Sequence, residues 1–189
     1  VGYIGRFQTK GTEKGVPELL KAMAHLQTDR EKLLLCVGGP MDAVPAYLTQ
    51  ADDLGLSRSA IRFVDRVPNV EVPYWIKACD VVTIPWAWTE FSAHYTSPLK
   101  LFEYMAAGVP IVASRLPSLC EILRHGENGW LVEPGNPVAL ATGIEDMLSN
   151  ENRSAGLARQ AGIDVQSYSW SNRAARILNS LSLTEAPFT

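Results

Sequence analysis

Three groups of residues have the types and spacing to do chemistry. The first is Ser97-Pro98-Leu99-Lys100-Leu101-Phe102-Glu103-Tyr104-Met105-Ala106-Ala107-Gly108. It reads as a helix capped by Ser97, with Pro98 at the first helical position, where a missing amide had no partner to lose, and stopped by Gly108. The free amides of Leu99 and Lys100, with the positive end of the helix dipole, make an anion site, and Lys100 adds a full charge to that end. Glu103 lies about 7.5 Å further along the axis at about 1.5 Å per residue, its side chain leaning back toward the helix start. A carboxylate there does not bind phosphate, but it accepts hydrogen bonds from the hydroxyls of a sugar joined to it. The pairing suits a phosphorylated sugar such as a nucleotide diphosphate. An ordinary capped helix with a solvated Glu103 has the same spacing.

The second group is Arg6, Lys10 and Lys14, in the connection between a short apolar strand, Val1 to Gly5, and a helical pattern from Val16 to Leu26. In an open parallel sheet the ligand crevice lies beyond the carboxyl ends of the strands, so these cations stand on its rim; a solvated basic loop reads the same way. The third is the stretch Trp86 to Thr96, with Trp86, Trp88, Glu90, Phe91, His94 and Tyr95. It reads as a long aromatic and polar loop that delivers the chain to Ser97.

The elements that must hold these groups alternate. Apolar strands are expected at Lys32–Val37, Ile61–Val64, Asp80–Pro85, Val109–Ala113 and Trp130–Val132. Helices are expected at Pro45–Leu54, Val72–Cys79 and Pro137–Leu148, around Glu121-Ile122-Leu123 with Gly126 as the stop, and from the Tyr168–Ser171 start through Ser182. Gly38-Gly39-Pro40 is a tight turn or a place where the backbone passes close to a ligand or to a neighbouring domain. Alternation of this kind predicts an α/β fold, a doubly wound parallel sheet. A dehydrogenase would share it, but needs Gly-x-Gly-x-x-Gly after a strand and an acidic residue further on; neither that pattern nor a phosphate-loop lysine motif is present.

At 189 residues and 47% apolar the chain fills one domain, and a net charge of −3 gives no basic field for nucleic acid. Cys36, Cys79 and Cys120, odd in number and far apart, read as reduced core residues rather than a disulfide frame or metal set, which points to the cytoplasm. No paired Cys/His or His/Asp spacing suggests a metal. Asn152-Arg153-Ser154 is a chance glycosylation pattern in such a chain. No apolar run is long enough to span a bilayer, and the start inside a strand pattern suggests a piece of a longer protein.

Ser97 to Ser114 resembles the signature segment of the GT-B glycosyltransferases, specifically the C-terminal, nucleotide-sugar-binding domain of the large retaining group 1 (family 4) enzymes, and the likeness runs from Gly5 to about Leu181. The resemblance implies a Rossmann-like half of a GT-B enzyme: residues 1–183 a donor domain, 184–189 a tail, and the N-terminal acceptor domain absent from this chain. In the family the glutamate matching Glu103 holds the donor ribose, and amides matching Leu99 and Lys100, after Ser97, hold the diphosphate. Gly5-Arg6 with Lys14-Gly15-Val16 is similar to the arginine and lysine pair on the diphosphate, Lys10 being a substitute for Lys14. The loop at Val67 supplies backbone groups to the base, Asp65 standing where a glycine is usual. A second glutamate, which contacts the donor sugar, is replaced by Tyr95, with Glu90 or His94 able to reach the site instead.

The resemblance therefore implies a hexosyltransferase of polysaccharide biosynthesis that uses a nucleotide diphosphate sugar, with no cofactor and no metal. Its acceptor is a glycan, lipid or small molecule. The fragment is expected to be inactive without its N-terminal domain, and the full-length protein is expected to be able to associate peripherally with a membrane. The terminal helix, which packs toward the N-terminal domain in the family, is expected to expose apolar side chains. A stand-alone regulatory module that binds sugar nucleotides, and an epimerase of the same fold, are the other readings.

Overall fold

The computed structural model describes residues 1–9, 11–28 and 31–182, the side chains of residues 181 and 182 excepted. In chain order the elements are β1 (Gly2–Arg6), β2 (Gln8–Thr9), β3 (Thr12–Glu13), α1 (Val16–His25), β4 (Leu34–Gly39), α2 (Val44–Asp53), β5 (Ile61–Val64), α3 (Val72–Lys77) and β6 (Val82–Ile84). They continue with α4 (Glu90–His94), α5 (Leu99–Ala107), β7 (Ile111–Ser114), α6 (Pro117–Cys120), β8 (Trp130–Val132), α7 (Pro137–Ser149), α8 (Glu151–Asp164) and α9 (Trp170–Ser182).

Six strands form one parallel sheet in the order β5-β4-β1-β6-β7-β8, and β2 and β3 form a small antiparallel hairpin beside it. The order turns outward in both directions from β1 and β6. That is the doubly wound plan expected from the alternation, and its switch point lies between those two strands.

The strands are apolar without alternation because both faces are covered. Tyr3, Leu34, Cys36 and Val112 point into the core under α1, α2 and α7. Their neighbours Ile4, Leu35, Val37, Ile111 and Ala113 point into a second core under α3, α5 and α6, where α8 packs against α5. Side-chain caps start two of the later helices: Asn136 Oδ1 accepts from the Ala139 amide and Asn150 Oδ1 from the Arg153 amide, each at 3.0 Å.

Several expected boundaries move. The strand expected at Lys32–Val37 is Leu34–Gly39, because its ladder with β1 continues through Gly38 and Gly39. The helix expected at Glu121–Leu123 is instead Pro117–Cys120, started by Pro117 after the extended Leu116, and Glu121–Leu123 form turns beyond it. The connection from Arg6 to Gly15 is no plain loop but holds the β2–β3 hairpin, and Trp86–Thr96 contains α4. Cys36 and Cys79 are buried thiols, whereas Cys120 is exposed at the end of α6. Along α9 the apolar face is open, with Trp170 75% and Ile177 52% exposed. Lys10 and residues 184–189 lie outside the described residues. No helix among those described is long and apolar enough to cross a membrane.

Candidate functional site

The switch point is wedged open by one side chain. β1 pairs with β6 at Gly2 and Val82, so the next stretch of β1 has no strand partner on that side. Tyr104 of α5 fills the gap: its hydroxyl accepts from the Ile4 amide at 2.8 Å and donates to the Ile4 carbonyl at 3.0 Å. The ring is fully buried, and burial raises the phenol well above its usual range. This bond pair fixes α5 to β1.

A cleft of about 230 Å³ opens at the carboxyl ends of β1, β4 and β5. Ile4, Gly5 and Arg6 form one side, Val37, Gly38 and Gly39 the floor, and Arg66, Val67, Asn69 and Val72 the far side. The glycine pair is neither a plain tight turn nor, within this chain, an approach to another domain: it ends β4 in its ladder with β1. Gly38 has φ 150°, and a Cβ there would lie 2.1 Å from the Gly5 carbonyl oxygen, so the strand ends meet where only glycine fits. Val67 lines the cleft, and Arg66, to which its type and spacing alone assign no role, stands beside it. Arg6 and Arg66 are exposed and neither enters an ion pair among the described residues.

The helix expected after Ser97 begins one residue later. Pro98, with φ −77° and ψ 118°, is the capping residue, its carbonyl accepting from the Leu101 amide at 3.0 Å. Ser97 makes no capping bond and is exposed. Leu99 and Lys100 are thus the first two helical residues, with amides that precede the helical ladder. Leu101, Tyr104 and Met105 bury the inner face, Glu103 is exposed, and Gly108 ends the helix with φ 68°. Glu103 is free to meet a ligand.

Lys100 corrects a different expectation. Its ammonium does not project from the helix start but turns inward, 3.9 Å from the centroid of the Tyr3 ring, with no hydrogen-bond partner. Burial, then the charge of Lys14, lowers its pKa to about 7.

Lys14 stands at the foot of the hairpin, its amide bonded to the Phe7 carbonyl at 2.8 Å. The hairpin is anchored where the Tyr47 hydroxyl donates to Glu13 Oε2 at 2.8 Å and Phe7 packs edge-on against the stacked rings of Tyr47 and Phe63. The Lys14 ammonium lies 5.2 Å from the Trp86 ring centroid and 5.7 Å from that of Phe91, and partial desolvation lowers its pKa. No carboxylate pairs with it among the described residues.

The segment before α5 is partly fixed. Thr89 and Ser92 cap α4 reciprocally, and the Ser118 hydroxyl holds the Ser92 carbonyl at 2.7 Å. Yet Trp88, Phe91 and Tyr95 are 56%, 59% and 71% exposed, and Glu90 and His94 are exposed too. None of Glu90, His94 and Tyr95 lines the cleft. Among the described residues no group of three or more His, Cys, Asp or Glu side chains is placed to hold a metal ion. A second cavity, about 190 Å³ around Val1, Lys32 and Asp80, lies at the amino ends of the strands and contains none of the candidate residues.

Comparison with known proteins gives this arrangement a context. A model of the family "Glycosyl transferases group 1" matches residues 1–150. The D-inositol 3-phosphate glycosyltransferase of Corynebacterium urealyticum is 32% identical over 185 residues, 94% of this chain and 41% of that protein. The chain thus spans about two fifths of the length of the curated relatives it matches. Among solved structures, Alr3699/HepE of Anabaena in complex with UDP is 26% identical with a TM-score of 0.79, over 95% of this chain and 48% of that one; the same protein has also been solved with UDP-glucose. The C-terminal domain of the group 1 protein LpcC from Francisella tularensis, 24% identical, shares the fold with a TM-score of 0.69 over 88% of this chain and 84% of its own. With the family model matching most of its length, the chain belongs to the group 1 glycosyltransferases, and its sheet is that of one Rossmann-like half of a GT-B enzyme.

Proposed function

We propose that residues 1–183 form the donor-binding half of a retaining glycosyltransferase that takes its sugar from a nucleotide diphosphate. In this reading Arg6 and Lys14 neutralise the diphosphate, the amides of Leu99 and Lys100 bind it behind Ser97, Glu103 holds the ribose hydroxyls, and the backbone at Val67 meets the base. Tyr95 borders the donor sugar. The observation that supports the reading is that the Arg6 end of β1 borders a cleft floored by glycines and rests against Lys100 of the α5 start, on which the charges of Lys14 and Glu103 both act; of these four residues only Arg6 lines the cleft.

The chemistry follows from charge. As the glycosidic bond breaks, the departing nucleotide gains negative charge, and fixed cations and amides aimed at it stabilise that state more than the bound donor. The guanidinium of Arg6 and the ammonium of Lys14 do so without a metal in this reading. The UDP and UDP-glucose complexes of the Anabaena protein make UDP-sugars the first donors to try.

The acceptor, a glycan, lipid or small molecule, is then held by an N-terminal domain outside this chain, so that this chain alone binds donor weakly and transfers nothing. Polysaccharide synthesis in the cytoplasm, with peripheral contact of the full-length protein to a membrane, fits such an enzyme.

Calorimetric titration with UDP, GDP, ADP and their sugars tests the assignment. Binding of one sugar nucleotide that Glu103→Ala weakens is the expected result. No heat with any of them at millimolar concentration overturns it. The anomeric configuration of the product made by the full-length protein, read by NMR, tests retention separately.

A further inference from the structure

Lys100 differs from the other cations of the site in being hidden. Its helix opens toward solvent, yet Nζ is shielded from solvent and bonded to nothing. The space it fills is one that glycine leaves: a Cβ on Gly5 would lie 2.6 Å from Nζ and 2.7 Å from Cε. Gly5 immediately precedes Arg6, and the Tyr3 ring that carries the ammonium donates its hydroxyl to the Arg6 carbonyl at 2.7 Å. The ammonium therefore rests against the strand end that presents Arg6.

Its surroundings hold little that could keep it charged. Lys14 faces it from the end of the hairpin with a like charge, Glu103 from its own helix with an opposite one, and the Cys36 thiol from β4. Tyr3 lies beneath it, and Tyr104 of α5, which belongs to the second core, has its hydroxyl committed to Ile4. A buried ammonium with one aromatic face and no acceptor is costly, and the cation–π contact offsets only part of that cost.

We propose that Lys100 is a third cation of the donor site, acting from behind the Gly5–Arg6 backbone, and that it takes up a proton when the diphosphate of a sugar nucleotide arrives. This rests on the donor reading above. One N–H bond forms at Nζ, the proton coming from a buffer acid, and it breaks again when the nucleotide leaves. Two negative charges brought to the Arg6 end of β1 favour the ammonium over the amine. The charge is then in place as the leaving diphosphate becomes more anionic.

The linkage has a definite sign. With a pKa of about 7 in the free protein and a higher one with donor bound, affinity is constant below the free value. It falls as pH rises above about 7, at most about tenfold per pH unit, until the bound pKa is reached. UDP-glucose is the suitable probe, because its diphosphate carries no terminal phosphate that titrates near pH 6 to 7 as a monoester does.

The test is calorimetry of this chain with UDP-glucose at about pH 8 in two buffers of different protonation enthalpy, repeated from about pH 7 to about pH 8.5. The expected result is uptake of a sizeable fraction of a proton and a several-fold loss of affinity across that range. In Lys100→Met, which keeps the stem over Tyr3, uptake disappears, affinity no longer varies with pH, and binding at pH 7 is several-fold weaker. Binding to the unaltered chain without proton uptake overturns this inference alone. So does uptake that persists in Lys100→Met, which puts the proton on another group such as Lys14. Absence of binding at millimolar UDP-glucose overturns the inference together with its UDP-sugar basis.

Discussion

The two sides of the candidate site are built on opposite principles. On the β1–α5 side the end of the strand is cross-braced: Tyr104 bonds both polar atoms of Ile4, Tyr3 bonds the Arg6 carbonyl, and Lys100 fills the space at Gly5. On the side formed by residues 86–96 the short helix α4 is capped and anchored at Ser92, but its aromatic side chains face solvent. The first side holds its groups through bonds to the backbone, and charge stabilisation requires such positioning. The second presents surface without fixing it, the property expected where the ligand varies or another domain closes. Substitutions on the first side should therefore unfold or disarm the domain, and those on the second should leave its stability alone.

The largest effect is expected at the floor of the cleft. Gly38→Ala places a Cβ 2.1 Å from the Gly5 carbonyl at a φ of 150°. Steric overlap and backbone strain together should cost on the order of 3 kcal/mol, read as a lower urea midpoint. Wild-type stability in this variant would mean that the ends of β1 and β4 can part, and that the braced side is softer than its bonds suggest.

Glu103→Ala should behave differently. The carboxylate is exposed and supports no packing, so stability should hold within about 0.5 kcal/mol. Loss of hydrogen bonds from hydroxyls to a charged acceptor should weaken donor binding by about 1.5–3 kcal/mol, tenfold or more, in calorimetry. Tyr104→Phe removes the hydroxyl that serves both polar atoms of Ile4 and leaves a buried amide unpaired, at a cost of about 1–3 kcal/mol. If it costs nothing, α5 is held by packing alone.

The contrast also marks what the sequence could reveal. Strands buried on both faces announce themselves as unbroken apolar runs that alternate with helical patterns, so the doubly wound plan is legible in the sequence although the ends of its elements are not. Glu103 is a candidate because it follows a helix start whose geometry local residues dictate, whereas Val67 is one only through the family resemblance. Tyr104 and Lys100 were misjudged or unseen because their partners are far off in sequence: Ile4 and Tyr104 are 100 positions apart. No local pattern says that a lysine at a helix start will turn inward to fill space that a distant glycine leaves empty. Serine has the hydroxyl for a cap, which is why Ser97 suits that place by type, whereas the carbonyl of Pro98 begins the helical bonds.

Lys100 itself sharpens the comparison at the level of stability. Its pKa, lowered to about 7, means that the folded state disfavours the charged form that the unfolded chain keeps up to about pH 10.4. Folding therefore releases a proton between those values, and stability should rise with pH across that window, then level off above it. Lys100→Met, with no charge to bury, should remove this dependence and be the more stable protein at pH 7, by on the order of 1 kcal/mol. Chemical denaturation at about pH 7 and pH 9 decides: parallel behaviour of the two proteins would show that the ammonium is solvated after all.

The smallest effect belongs to the open side. Tyr95 is 71% exposed, with the His94 ring edge-on at 6.4 Å, and Trp88 is 56% exposed. Neither contributes to either core, so Tyr95→Ala and Trp88→Ala should each change stability by less than about 0.5 kcal/mol. If Tyr95 borders the donor sugar, Tyr95→Ala should weaken UDP-glucose more than UDP, since a contact to the sugar cannot be lost by a ligand without one. Equal weakening of both would place Tyr95 at the nucleotide, and no weakening of either would leave the aromatic side to the acceptor.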